Sequence, residues 1–112
     1  MSNVYKNIQA KITPAGSYHD MYETPTETTS LIKSIKLYNT HSGALAVDIK
    51  VHDSSAGTDY EWDKVNINAS GSIDLLTFNN VIILEAGDKL KMQCATGNVI
   101  KMTASVLQTS RS

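Results

Sequence analysis

The run Asp59-Tyr60-Glu61-Trp62-Asp63 brings together the residue types of a sugar site, carboxylates beside aromatic rings. Paired carboxylates can work at a glycosidic bond, and an aromatic face offers a sugar ring a platform to stack on. Trp62, Glu61 and Asp63 are therefore the candidate glycan contacts. The same run also reads as an ordinary half-buried strand. Asp59, Glu61 and Asp63 share one parity, and Tyr60 and Trp62 take the other.

Other chemistry is sparse. His19, His41 and His52 fall in separate segments, with no H-x-x-H, C-x-x-C or H-E-x-x-H spacing to converge on a metal. Asp53–Asp59 has the acidic and hydroxyl residues of a calcium loop but lacks its ligand order and terminal glutamate. No G-x-S-x-G turn activates a serine, and Gly87 and Gly97 are isolated turn glycines. The single cysteine, Cys94, rules out an internal disulfide and sits on the apolar parity of its segment. The expectation is a non-enzymatic protein with no catalytic residue, no metal and no cofactor.

The elements that must carry these residues are strands. Leu45, Val47, Ile49 and Val51 alternate with Ala46, Asp48, Lys50 and His52, one dry face against one wet face. Leu90, Met92 and Cys94 repeat the pattern, as do Ile100, Met102, Ala104 and Val106. Further extended segments are expected at 4–12, 17–22, 31–39, 60–67, around Ile73-Leu75-Leu76, and at 81–84 after Asn79-Asn80. Lys33 interrupts the apolar side of 31–39, which suggests an edge position; the parity shift between Trp62 and Val65 suggests a bulge near Asp63-Lys64. Thr40-His41-Ser42-Gly43 and Thr96-Gly97-Asn98 read as hairpin turns, the first pairing 31–39 with 44–52. Lys33, Lys36, Lys89 and Lys91 are placed to blunt sheet edges. Eight or nine short strands with frequent turns predict an all-β antiparallel sandwich in a single domain over residues 1–112, with a frayed tail at 108–112.

Composition limits the partners. Ten basic and eleven acidic residues, spread along 112, give a net charge of −1 and no basic face, so no nucleic-acid or membrane partner is expected. The N-terminus lacks the layout of a signal peptide, and no apolar run approaches the roughly 18 residues of a membrane span.

Three stretches carry a family resemblance. Tyr22-Glu23-Thr24-Pro25 followed by Thr29–Thr40, the turn Leu84-Glu85-Ala86-Gly87-Asp88-Lys89-Leu90-Lys91, and the closing strand Val99–Leu107 together resemble small virion structural proteins of tailed bacteriophages. Met21 and Lys101 depart from the usual pattern. The resemblance covers most of residues 4–108 and carries no catalytic motif. It implies a jelly-roll-like sandwich made in the host cytoplasm and built into the virion, as a head decoration (cement) protein or a neck, collar or tail accessory. The implied partners are other virion proteins and further copies of the chain, a trimer first among them. It also implies an N-terminal arm over residues 1–8, with Val4, Tyr5, Tyr18 and Tyr22 as assembly contacts. A carbohydrate-binding module of a tail fibre or spike, using Trp62, is the other reading; an exposed Trp62 favours it and a buried one favours the structural protein.

Overall fold

The computed structural model describes residues 2–13, 15–75 and 81–110. Leu76, Asn79-Asn80 and the last two residues of the expected tail lie outside that range. Among the described residues nine strands run in order: β1 (Ser2–Lys11), β2 (His19–Glu23), β3 (Thr28–Asn39), β4 (Leu45–Asp53), β5 (Thr58–Ile67), β6 (Ser72–Asp74), β7 (Ile82–Leu84), β8 (Lys89–Cys94) and β9 (Ile100–Ser110). They form two antiparallel sheets. One has the order β1-β9-β3, with β6 and β7 both on the far side of β3; the other is β2-β8-β4-β5. This is a jelly roll: successive strands mostly alternate between the sheets, so the chain winds around the core.

The alternation read from sequence holds in the interior. Val47 and Ile49 of β4, Leu90, Met92 and Cys94 of β8, and Ile100, Met102, Ala104 and Val106 of β9 are all buried in one core cluster. Each large aliphatic side chain there contributes roughly 1.5–3 kcal/mol through removal from water. Tyr22 stitches the two sheets together across this core. Its hydroxyl accepts from Gln108 Nε2 at 2.7 Å and lies 2.6 Å from Ser30 Oγ, joining β2 of one sheet to β3 and β9 of the other.

Several expectations are corrected. Residues 2–8 are not an arm; β1 pairs with β9 residue by residue from Ser2↔Ser110 to Lys11↔Lys101. That pairing also orders residues 108–110, expected to fray. Lys33 does not mark an edge. The β3–β9 register slips between Ile32↔Val106 and Ser34↔Ser105, so Lys33 is a bulged residue in a central strand. The bulge resets the parity, leaving Ile32, Ile35 and Leu37 inside and turning Leu31 outward. With β3 and β8 central, their lysines blunt no edge.

Neither expected hairpin is one. The turns at 40–43 and 96–98 cross from one sheet to the other, and among the described residues only β4–β5 is a hairpin of sequence neighbours within one sheet. The reason at the first crossing is Asn39, which is fully buried. Its Nδ2 donates to the carbonyls of Gly43, Ile67 and Asn68 at 3.0, 3.1 and 3.3 Å, and its Oδ1 accepts from the His41 amide at 2.8 Å. These bonds bend the chain away from its own sheet and fasten it to the end of β5. At the second crossing Asn98 adopts a left-handed φ of 64° and donates its amide to Ile12 O.

Candidate ligand groove and the two outer faces

The outer face of the four-stranded sheet is assembled from register. Asp48 of β4 stands beside Gln93 of β8 and Lys64 of β5; Lys50 stands between Lys91 and Glu61; His52 stands between Lys89 and Asp59. Side chains two apart along β4 thus meet partners brought from distant parts of the chain. Gln93 Nε2 donates to Asp48 Oδ2 at 2.9 Å, while Lys64 Nζ lies 3.8 Å from Asp48 Oδ1. Asp20 of β2 lies 3.5 Å from Lys89 and 3.8 Å from Lys91.

The tightest ionic group sits on the β4–β5 hairpin. Asp59 takes Lys50 Nζ at 2.7 Å on one oxygen and His52 Nδ1 at 2.6 Å on the other. The Lys50 bond, then the His52 bond, holds the Asp59 carboxyl down at about 2, and the same Asp59 bond raises Lys50. Lys50 also places its ammonium 3.8 Å from the centroid of the Tyr18 ring. His52, Asp59, Lys50 and Tyr18 form one chain of contacts that fixes the tyrosine over the sheet. At the hairpin tip Asp53 Oδ1 accepts from Ser55 N, Ser55 Oγ and Ala56 N, and the Ser55 hydroxyl, then the Ala56 amide, hold its carboxyl below the usual carboxylate range. The Glu85–Asp88 turn docks beneath: Asp88 Oδ1 accepts from Ser54 N and Oγ, and Gly87, with φ 86°, leaves no room for a Cβ, which would sit 2.9 Å from Ser54 Oγ.

Trp62 owes its position to the expected bulge, found one residue earlier than Asp63-Lys64. The β4–β5 register steps from Ile49↔Asp63 to Lys50↔Glu61 and passes over Trp62. The bulge takes Asp63 out of the row of Asp59 and Glu61. It also breaks the half-buried pattern: Tyr60 and Trp62 are 56% and 37% exposed. Trp62, Glu61 and Asp63 line a groove of about 590 Å³ with Tyr18, Asp48, Ile49, Lys64 and Gln93. The structure thus gathers the three glycan candidates and adds Tyr18 to them. Asp48 and Gln93 were not singled out by sequence; their signal is only that both fall on the wet parity of strands that turn out to be neighbours. Among the described residues, no group of three or more His, Cys, Asp or Glu is placed to hold a metal ion.

The outer face of the five-stranded sheet has a different chemistry. Tyr5, Leu107, Leu31 and Ile83 stand directly opposite one another across β1, β9, β3 and β7. Tyr5 is 72% and Ile83 63% exposed, with Leu107 and Leu31 half-buried between them. Lys33, the bulged residue, sets its ammonium 5.6 Å from the Tyr5 ring centroid. Of the expected assembly contacts, Tyr5 belongs to this row and Val4 is exposed beside it on β1. Tyr22 is corrected: it is buried with its hydroxyl satisfied inside the sandwich, so no partner reaches it. Tyr18 lines the groove on the opposite sheet.

No family model and no curated protein sequence matches the chain. Its fold is similar to that of a chain from the pili that form Bacillus endospore appendages, with a TM-score of 0.61 and 10% identity over 99% of this chain and 90% of that one. It is equally similar to a chain of the acid-stable capsid of Helicobacter pylori bacteriophage KHP30, with a TM-score of 0.61 and 9% identity over 99% and 94%. PirA follows with a TM-score of 0.52 and 13% identity over 94% and 93%. At these identities the likeness is one of fold, an all-β jelly roll used in a capsid and in a pilus.

Proposed function

We propose that the chain is a non-enzymatic structural protein of a phage virion, a head decoration protein that assembles as a trimer on the capsid. The observation that carries this reading is coverage: almost the whole chain is one jelly roll that matches a phage capsid chain nearly end to end. The sequence resemblance at 22–40, 84–91 and 99–107 points the same way. A neck, collar or tail accessory protein uses the same fold and differs only in its place on the particle. The pilus likeness supports an assembly role as well, but disulfide linkage of the kind named for those pili does not suit this chain. Cys94, its single cysteine, is 2% exposed in the core.

The row Tyr5-Leu107-Leu31-Ile83 is the proposed assembly surface. It is apolar and is flanked by the small polar triplets Asn3–Thr109–Thr29 and Asn7–Ser105–Ser34. An apolar centre with a polar rim is the usual anatomy of a protein interface. Two measurements test the reading. Light scattering should give a solution mass near three times the 12.2 kDa of the chain; a single-chain mass at all concentrations removes the trimer. Antibody against the chain should label the heads of purified particles in negative stain. Label on necks or tails moves the protein to an accessory position, and particles without label overturn the virion reading.

A further inference from the structure

We propose that the groove between Tyr18 and Trp62 is a binding site for a neutral oligosaccharide. The inference does not depend on where, or whether, the chain sits in a particle.

The geometry is that of an open trough with aromatic walls and a polar floor. Tyr18 comes from the β1–β2 connection and Trp62 from the bulge in β5; Asp48 and Gln93, partners in register on β4 and β8, lie between. Both walls are held by something other than a ligand. Lys50 braces Tyr18, and the bulge keeps Trp62 out of the β4–β5 register. A bulge that re-aims one side chain out of an edge strand is a feature that occurs next to functional sites. The trough therefore exists before anything enters it, which lowers the ordering cost of binding.

The polar groups select the ligand's chemistry. When ionised, Glu61 and Asp63 accept hydrogen bonds and donate none. Gln93 has one amide hydrogen engaged by Asp48 and keeps its Oε1 and second N–H for a ligand. A site rich in acceptors needs a ligand rich in donors. Three carboxylates against the single lysine of the lining make the trough net negative, so sulfated, sialylated or phosphorylated ligands are repelled. The aromatic walls need flat apolar surface on the same ligand. Many hydroxyl donors, no negative charge and apolar C–H faces together describe a neutral sugar chain. A volume of about 590 Å³, open to solvent along its length, accepts a few rings of such a chain rather than one enclosed monosaccharide.

Trp62 is the only tryptophan of the chain, so its fluorescence reports on this groove and nowhere else. The probes are cellohexaose, xylohexaose, maltohexaose and chitohexaose, with a heparin hexasaccharide as the anionic control and a hexalysine peptide as the cationic one. At least one neutral hexasaccharide should shift the Trp62 emission saturably, with a Kd at or below about 1 mM. The affinity should hardly change when salt is raised, because no charge pair forms. By calorimetry, Trp62→Ala and Tyr18→Ala should each weaken binding about tenfold or more, the usual loss for a central aromatic contact. Trp62→Phe should recover part of that loss, and circular dichroism should show the fold of each variant intact. No binding by any neutral hexasaccharide overturns the proposal. Binding that leaves Trp62 emission unchanged, or that survives both alanine variants, places the sugar elsewhere and also overturns it. Salt-sensitive binding of hexalysine alone would make this a docking site for a basic protein segment, again overturning the sugar reading.

Discussion

The two outer faces of the sandwich are built on the same pleat, each with a lysine over a tyrosine ring, and otherwise differ in chemistry. On the five-stranded sheet the central cross-strand row is Tyr5-Leu107-Leu31-Ile83, and the paired residues of the rows on either side are uncharged, with the charge of the bulged Lys33 beside it. On the four-stranded sheet the three successive rows through Asp48, Lys50 and His52 carry ionic partners: Asp48 with Lys64, Asp59 with Lys50 and His52, Asp20 with Lys89 and Lys91. An apolar row gains by losing water and so suits another protein. A lattice of exposed ion pairs gains little from losing water and suits solvent or a polar ligand. One small jelly roll thereby presents two faces of different chemistry.

The comparison can be broken most severely by unfastening the sheets. Asn39→Ala removes the donor that satisfies three carbonyls at the first crossing, and should cost about 2–3 kcal/mol in a urea melt. If it loosens only the end of the four-stranded sheet, the faces are less mutually dependent than the seam implies. Tyr22→Phe should cost about 1–2 kcal/mol, because Ser30 and Gln108 lose their shared partner inside the core. Ile83→Asp, at an exposed position, should change stability by less than about 0.5 kcal/mol. It should nevertheless bring the assembled mass down to a single chain, while Glu61→Gln on the other face leaves the mass unchanged.

Acid separates the faces in another way. Asp59 is held at about 2 in the folded protein against an ordinary 3.8. A depressed carboxylate contributes stability that is complete above about pH 4 and is lost as the pH falls through the folded value. Trp62 emission and the His52 resonances should therefore change between about pH 4 and 2, ahead of signals from the five-stranded sheet. Asp59→Asn should remove that early phase. The smallest effect belongs to Lys64→Ala: its pair with Asp48 is long and its side chain 69% exposed, so less than about 0.5 kcal/mol is expected.

Sequence patterning reached the inside of this molecule better than its connections. The alternations at 90–94 and 100–106 named buried residues correctly, and that at 45–51 did so for Val47 and Ile49 with Leu45 and Val51 half-buried, because a period of two depends only on which face is dry. The same period is blind to which strand lies alongside. Thr40–Gly43 has a hairpin's composition and crosses between sheets because Asn39 bonds to Ile67 and Asn68, residues 28 and 29 places away. Lys33 looked like an edge signal because one bulged residue and one misplaced charge give the same broken alternation. At the groove, Trp62, Glu61 and Asp63 were legible as neighbours in sequence. Tyr18 and Gln93 join them only through the pairing of β2, β8, β4 and β5, information that no local pattern holds.

The register of β1 has a practical consequence. Ser2 lies opposite Ser110, so the polypeptide enters and leaves the jelly roll at adjacent ladder positions, about 5 Å apart. A unit with such neighbouring ends is a cassette. It can be spliced into a surface loop of an unrelated host protein through two short linkers. Its ends can also be joined and the ring reopened at the 54–57 hairpin tip, giving a permuted chain with the same two faces. The same adjacency means that a segment fused ahead of β1 and one fused after β9 start from a single corner of the sandwich.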